Sequence, residues 1–305
     1  LLSKQTLNQM ADEKEIESCL RTLSEHGYDS VPEGNARDFE KVLSAELSKT
    51  YAVIRELVPE EKFINIFLYK NDYQNLKVLL KQEVSGVDGK QYIVQGGTQP
   101  VEKLKKSILD RNYADLPPIM GEAIEEALEL YSKTQSGQMI DIALDRGTFR
   151  QMTQAAKESE NEFVKGYTAG VCDLTNLKSV LRMRHMNKDL GAFMNVFVEG
   201  GNISSSVFFS AYGTDNPVDQ FKGSRYGELL EIGIEKGFTE FEKTCDDFIM
   251  DYVKSAKYIA LTLEPLIAYL YAKESEIKTV RIIVTSKLNQ ISSEIIKERV
   301  REAYV

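Results

Sequence analysis

The residues best placed to do chemistry are the three aspartates of the string DDFIMD, Asp246, Asp247 and Asp251. On a helix, adjacent carboxylates with a third one turn further on can face a cavity together and hold Mg²⁺ against a diphosphate. Here the third aspartate falls five residues after the first and four after the second, and the second aspartate-pair motif expected across such a cavity is missing. The stretch FEKTCDDFI also aligns internally with FEKVLSAEL, which carries no acid pair. The pattern therefore reads as a solvated helix face, and a helical diphosphate enzyme is the weakest of three readings.

Other chemistry has less support. There is no GxSxG, and the two histidines, His26 in EHGYDS and His185 in RMRHMN, sit as surface or helix-end residues. Cys19, Cys172 and Cys245 are far apart and form no CxxC, so they read as buried or unpaired thiols of a reducing compartment. The string GVDGK at 86–90 is too short for a phosphate loop, and the pairs Gly96, Gly97 and Gly200, Gly201 lack phosphate-binding spacing. They read as helix ends or tight turns. The basic string RMRHMNK at 182–188 is the best anion patch, and it equally suits the negative end of a helix dipole. No catalytic residue, cofactor site or metal site is expected.

One polar pattern is written three times: DYQNLK at 72–77, DLTNLK at 173–178 and EIKTVR at 276–281. Each has an acid, a small polar residue three on and a base two beyond that. The sets are Asp72, Asn75 and Lys77; Asp173, Asn176 and Lys178; and Glu276, Thr279 and Arg281. Acid and amide are surface neighbours on a helix. Asparagine costs helix propensity, so a tertiary role must offset it. The simplest such role is to satisfy backbone groups of a neighbouring helix or loop. A ligand site used three times would need convergent charge instead.

The elements that carry these strings are helical. Ile66, Tyr69, Tyr73, Leu76 and Leu80 form one apolar stripe, and a shift of 101 residues gives Tyr167, Gly170, Leu174, Leu177 and Leu181. A shift of 204 gives Leu270, Lys273, Ile277, Val280 and Val284. Phe39, Ile140 and Phe241 recur with the same spacing and mark a second helix in each copy. Helical runs are expected over 33–57, from Pro59 through 82, and over 120–134, whereas KQYIVQ at 90–95 and SSSVFF at 204–209 are the only strand candidates. The fold class is all-α. Modules are drawn at 1–97, 98–201 and 202–305, the first incomplete at its N-terminus, and each with its own core, since a period near one hundred exceeds that of solenoids.

Composition is that of a folded protein: of 305 residues, 42% are hydrophobic and 28% charged, which argues against disorder. A net charge of -9 works against a nucleic-acid partner. The most apolar window, 258–272, holds Glu264 and Pro265 and falls short of the roughly twenty residues a spanning helix needs. No transmembrane segment of its own is expected. The opening LLSKQ shows no secretory pattern and no initiating Met, so the gene product is expected to begin earlier.

Four features together resemble a known family: the threefold motif helix, LDRGTF at 144–149, CDLTNLKSVLR at 172–182, and the closing block from Tyr271 to Val305. The chain resembles the C subunit of prokaryotic V-type (A-type) ATPases, equivalent to the eukaryotic d subunit. The resemblance implies three similar helical domains about a pseudo-threefold axis, forming a funnel. It implies a non-catalytic central-rotor component, a spacer and socket between the central-stalk subunits (D/F type) and the membrane rotor ring. Such a component transmits torque that couples ATP hydrolysis or synthesis to proton or Na⁺ transport, without a cofactor, at the cytoplasmic face of the membrane. Related chains carry a further helical segment before the LLS, and Thr279 and Arg281 depart from the Asn and Lys of the other copies. The competing reading is a helical scaffold or adaptor with soluble partners only.

Overall fold

Residues 1–30, 38–58, 60–259 and 262–305 are described by the computed structural model, and among them every regular element is a helix. The expected run from residue 33 and the opening of the next at Pro59 fall partly outside the described residues. The helices recur in one order. The first set is α1 (Lys4–Asp12), α2 (Ile16–Glu25), α3 (Phe39–Leu57) and α4 (Lys62–Ser85). The second is α5 (Val101–Asp110), α6 (Pro118–Thr134), α7 (Gly137–Glu158), α8 (Glu162–His185) and the short α9 (Leu190–Val196). The third is α10 (Ser205–Gly213), α11 (Arg225–Lys236), α12 (Phe238–Lys254), α13 (Glu264–Leu288) and the short α14 (Ser293–Arg299). The repeated polar strings lie on α4, α8 and α13, which are 24, 24 and 25 residues long.

Neither strand candidate is a strand. Lys90–Tyr92 is a single 3₁₀ turn, and the serine-rich string enters α10, where Phe208, Ala211 and Tyr212 are buried. Their spacing of three and one is a helical face; the apolar residues of SSSVFF never alternated as a half-buried strand requires.

The chain divides into two compact units, Leu1–Pro59 with Gly227–Val305, and Glu60–Tyr226. In the second unit, Tyr73, Leu76 and Leu80 of α4 share a core with Leu104 and Ile108 of α5, Ile124 of α6, and Ile140 and Leu144 of α7. Leu76 and Leu80 are fully buried, which contributes about 1.5–3 kcal/mol each. Gly147, the glycine of LDRGTF, permits this closeness: a Cβ there would stand 2.5 Å from the Cβ of Ala123 and 2.8 Å from the ring of Tyr73.

In the first unit, Ile277, Val280 and Val284 of α13 share a core with Leu7 and Met10 of α1, Cys19 and Leu23 of α2, Val42 and Leu43 of α3, and Ile296 of α14. Each of these two motif helices therefore finds its core among the first three helices of another copy, α4 among those that follow it and α13 among those that open the chain. Gly96 and Gly97 lie in the chain between α4 and the helices α5, α6 and α7 with which it shares an interior.

Candidate functional site

The three polar strings sit on their helices at equivalent places, and each acid grips backbone. Asp72, fully buried, accepts from the Thr98 amide at 2.9 Å, the Thr98 hydroxyl at 2.6 Å and the Gln99 amide at 3.0 Å. Three residues on, Asn75 clamps both backbone groups of one residue: its Nδ2 donates to the Val94 carbonyl at 2.9 Å, and its Oδ1 accepts from the Val94 amide at 2.8 Å. The same amide that weakens the helix thus completes a loop that has no secondary structure to satisfy it.

The second copy repeats this with other side chains. Asp173 accepts from the amides of Asn202 at 3.0 Å and Ile203 at 3.2 Å, and from the Tyr226 hydroxyl at 3.1 Å. Asn176 holds Val198 through its carbonyl at 2.8 Å and its amide at 2.9 Å. Burial pushes the Asp173 carboxyl above the usual carboxylate range, against the three donors that favour its charged form. The glycine pairs serve this joint and do not end helices. A Cβ on Gly97 would overlap Asp72 Oδ1, and one on Gly201 would overlap Asp173 Oδ1. Gly96 and Gly200 have φ of 84° and 106°, the left-handed region that favours glycine.

The third copy keeps the acid and loses the clamp. Glu276 accepts from the backbone amide of Leu2, from the Tyr28 hydroxyl at 2.6 Å and from Lys273 Nζ at 2.8 Å. Lys273, which replaces an apolar stripe position, is buried, pairs also with Glu46 at 3.1 Å and lies 4.8 Å from the centre of the Tyr28 ring. Burial first, then the charge of Glu276, pushes the Tyr28 hydroxyl far above its ordinary pKa. Thr279 turns its hydroxyl back to the Ser275 carbonyl of its own helix at 2.9 Å.

The bases act between helices. Lys77 reaches Asp145 of α7 at 2.5 Å, and Arg281 binds both oxygens of Glu40 on α3 at 2.8 and 3.0 Å. Lys178 is half-buried at the matching place on α8.

The aspartates of DDFIMD are not a solvated face. Asp246 pairs with Arg301 at 3.1 Å and Lys278 at 2.5 Å, while Asp247 accepts from the Glu302 amide at 2.6 Å. They anchor the C-terminal stretch to α12, and Asp251 alone of the three is exposed. Sequence reasoning missed this because the partner lies some fifty-five residues further on. In the basic string, Arg184 donates to the carbonyls of Tyr212 at 2.9 Å, Thr214 at 2.6 Å and Asp215 at 2.8 Å, so it holds a turn together rather than awaiting an anion. The three cysteines are buried, and burial pushes the Cys19 thiol up to about 11 and that of Cys172 up to about 12. Among the described residues no group of three or more His, Cys, Asp and Glu could hold a metal ion. No helix among them is long and apolar enough to cross a membrane.

Tyr28, Lys273, Tyr226 and Thr98 carried no sequence signal as joint residues, whereas Gly97 and Gly201 did, by following their acids at 25 and 28 residues.

Among the described residues the fold is a repeated helical one whose recurring polar residues fasten loop backbone to the motif helices. The chain belongs to the ATP synthase (C/AC39) subunit family, whose model matches residues 1–299. It is therefore a non-catalytic part of the ATPase complex. It is 28% identical over 310 aligned positions to the C subunit of the V-type sodium ATPase of Enterococcus hirae, covering 100% of this chain and 94% of that one. It is 22% identical over 280 positions to the C subunit of the A-type ATP synthase of Methanocaldococcus jannaschii, covering 85% and 70%. With the corresponding A-type ATP synthase C subunit of a Desulfurococcus species it shares 21% over 316 positions, covering 98% and 86%.

Proposed function

We propose that this chain is the central-rotor C subunit of a V-type or A-type ATPase, a spacer and socket that joins the central stalk to the membrane rotor ring and passes torque between them. The observation that carries this reading is the family match along residues 1–299 together with full-length similarity to the C subunit of a V-type sodium ATPase. The physical chemistry is consistent with the role. A part that transmits torque must resist shear, and directional hydrogen bonds to buried backbone resist it better than apolar contact alone, which has no preferred direction. Its partners would be the D/F-type stalk subunits and the rotor ring, at the cytoplasmic face, with three modules around a pseudo-threefold axis and proton or Na⁺ transport driven or harvested through the assembly.

The test is reconstitution of the native protein with purified stalk subunits and a detergent-solubilised ring. Co-elution with both partners is expected. Binding to neither would favour the scaffold reading and remove the rotary role.

A further inference from the structure

In the first two copies the backbone gripped by the motif acid belongs to the stretch that leads into the next copy. Asp72 takes the amide of Gln99, one residue before Pro100 at the start of α5. Asp173 takes that of Ile203, one residue before Ser204 at the start of α10. In the third copy the amide comes from the other end of the sequence. Glu276 grips Leu2, one residue before Ser3 at the start of α1. All three acids thus hold the same position relative to a following helix, although only two of those helices follow in the chain.

The surroundings agree. Glu302, Ala303 and Tyr304 line one small pocket with Leu1, Leu2 and Thr279. Lys4 pairs with Glu302, which also meets Lys254 at 3.0 Å. At the far end of α1, Lys287 donates to the carbonyls of Ala11, at 2.9 Å, and Glu13, and Lys297 pairs with Asp12 at 2.6 Å. The first helix is pinned at both ends by side chains from the last eighty residues.

We propose that Glu276 is the keeper of a clasp that closes the first unit on its own N-terminal segment, supplying by non-covalent bonds what a continuous linker supplies in the other copies. That unit is made of two stretches, Leu1–Pro59 and Gly227–Val305, whose covalent connection runs through residues 60–226. A short linker keeps a released helix at high local concentration and so favours its return. The segment under the clasp has no linker directly to α13 and is held near it along the chain only through α3, whose Val42 and Leu43 share the core with α13. The apolar core draws α1 and α2 onto α13 without fixing their register, and the Glu276 joint with Tyr28 and Lys273 fixes it. Residues 1–28 therefore open as a local unit, separately from residues 60–226.

Hydrogen exchange on the full chain, followed by mass spectrometry, tests this. In Glu276→Gln the amides of residues 1–28 should exchange about tenfold faster, with those of 60–226 unchanged. In the matched variant Asp72→Asn, exchange should rise over residues 94–100 while α5 and α6 keep their protection. Unchanged exchange at 1–28 in Glu276→Gln, or an equal rise across 60–226, overturns the clasp. So does opening of α5 and α6 in Asp72→Asn to the same extent as α1 and α2. Should Glu276→Gln yield no folded protein, Tyr28→Phe decides by the same readout, since it removes one donor and keeps the ring over Lys273. A smaller rise confined to 1–28 supports the clasp, and no rise or a general one removes it.

Discussion

Asn176 and Thr279 stand at the same place in the repeat and do different work. Asn176 bonds both backbone groups of the buried Val198, while Thr279 bonds its own helix. Truncating Asn176 to alanine strands an amide and a carbonyl away from water, at a cost of about 2–3 kcal/mol. Thr279→Ala removes a bond that competes with the helix and should cost less than about 1 kcal/mol. Urea denaturation midpoints of the two variants measure the contrast, and equal losses would mean that the Val198 clamp adds no stability. Asp173 adds a pH signature at the same scale. Its pKa is raised in the folded state, chiefly by burial, so the folded protein binds this proton more tightly than the unfolded chain. The contribution of this group is then fully present below the unfolded value of about 3.9 and declines as pH rises through the folded one. Asp173→Asn should lose less stability relative to the native protein as pH increases across that window. Parallel stability curves for the two proteins from acid to neutral pH would rule the effect out.

Among the elements, α4 shows how one helix serves two tasks. Its apolar stripe faces α5, α6 and α7, while Asp72 and Asn75 of its polar string hold the loop that leads to α5. The two tasks differ in energy. Leu76→Ala empties a fully buried site and should cost about 2–5 kcal/mol, whereas Lys77→Ala removes a half-exposed ion pair with Asp145 and should cost under about 1 kcal/mol. Thermal unfolding of both variants checks the ranking. A lysine variant as damaging as the leucine one would mean that the ion pair carries more of the α4–α7 contact than its exposure allows. The stripe and the string were both legible in the sequence, since each follows from residue spacing on one helix. The partner of Asp247 at Glu302 was not, because it depends on where a distant segment is folded back. The serine-rich string at 204–209 misled for a simpler reason: Val207, Phe208 and Phe209 suit a strand by residue type though not by alternation, and only the next turn, with Ala211 and Tyr212 buried, makes the helical face.

At the scale of the whole molecule, the repeat explains why a chain without catalytic chemistry carries so many recurring polar residues. They are joints, and joints are what a torque-passing component would use. Under the proposed rotary role, weakening one joint at a time should leave binding to stalk and ring in place while softening the coupling between ATP turnover and rotation; uncoupled turnover in a reconstituted complex is the readout. What the sequence determined by itself was the helical class, the threefold recurrence and the face each motif helix buries, because periodicity is local and every turn of helix repeats the same geometry. Tertiary structure alone decided which copy supplies the core for α4 and for α13, what the acids hold, and that the first residues of the chain complete the last copy. Those contacts join residues as far apart as Leu2 and Glu276, and no local propensity records a partner that only the folded backbone brings near.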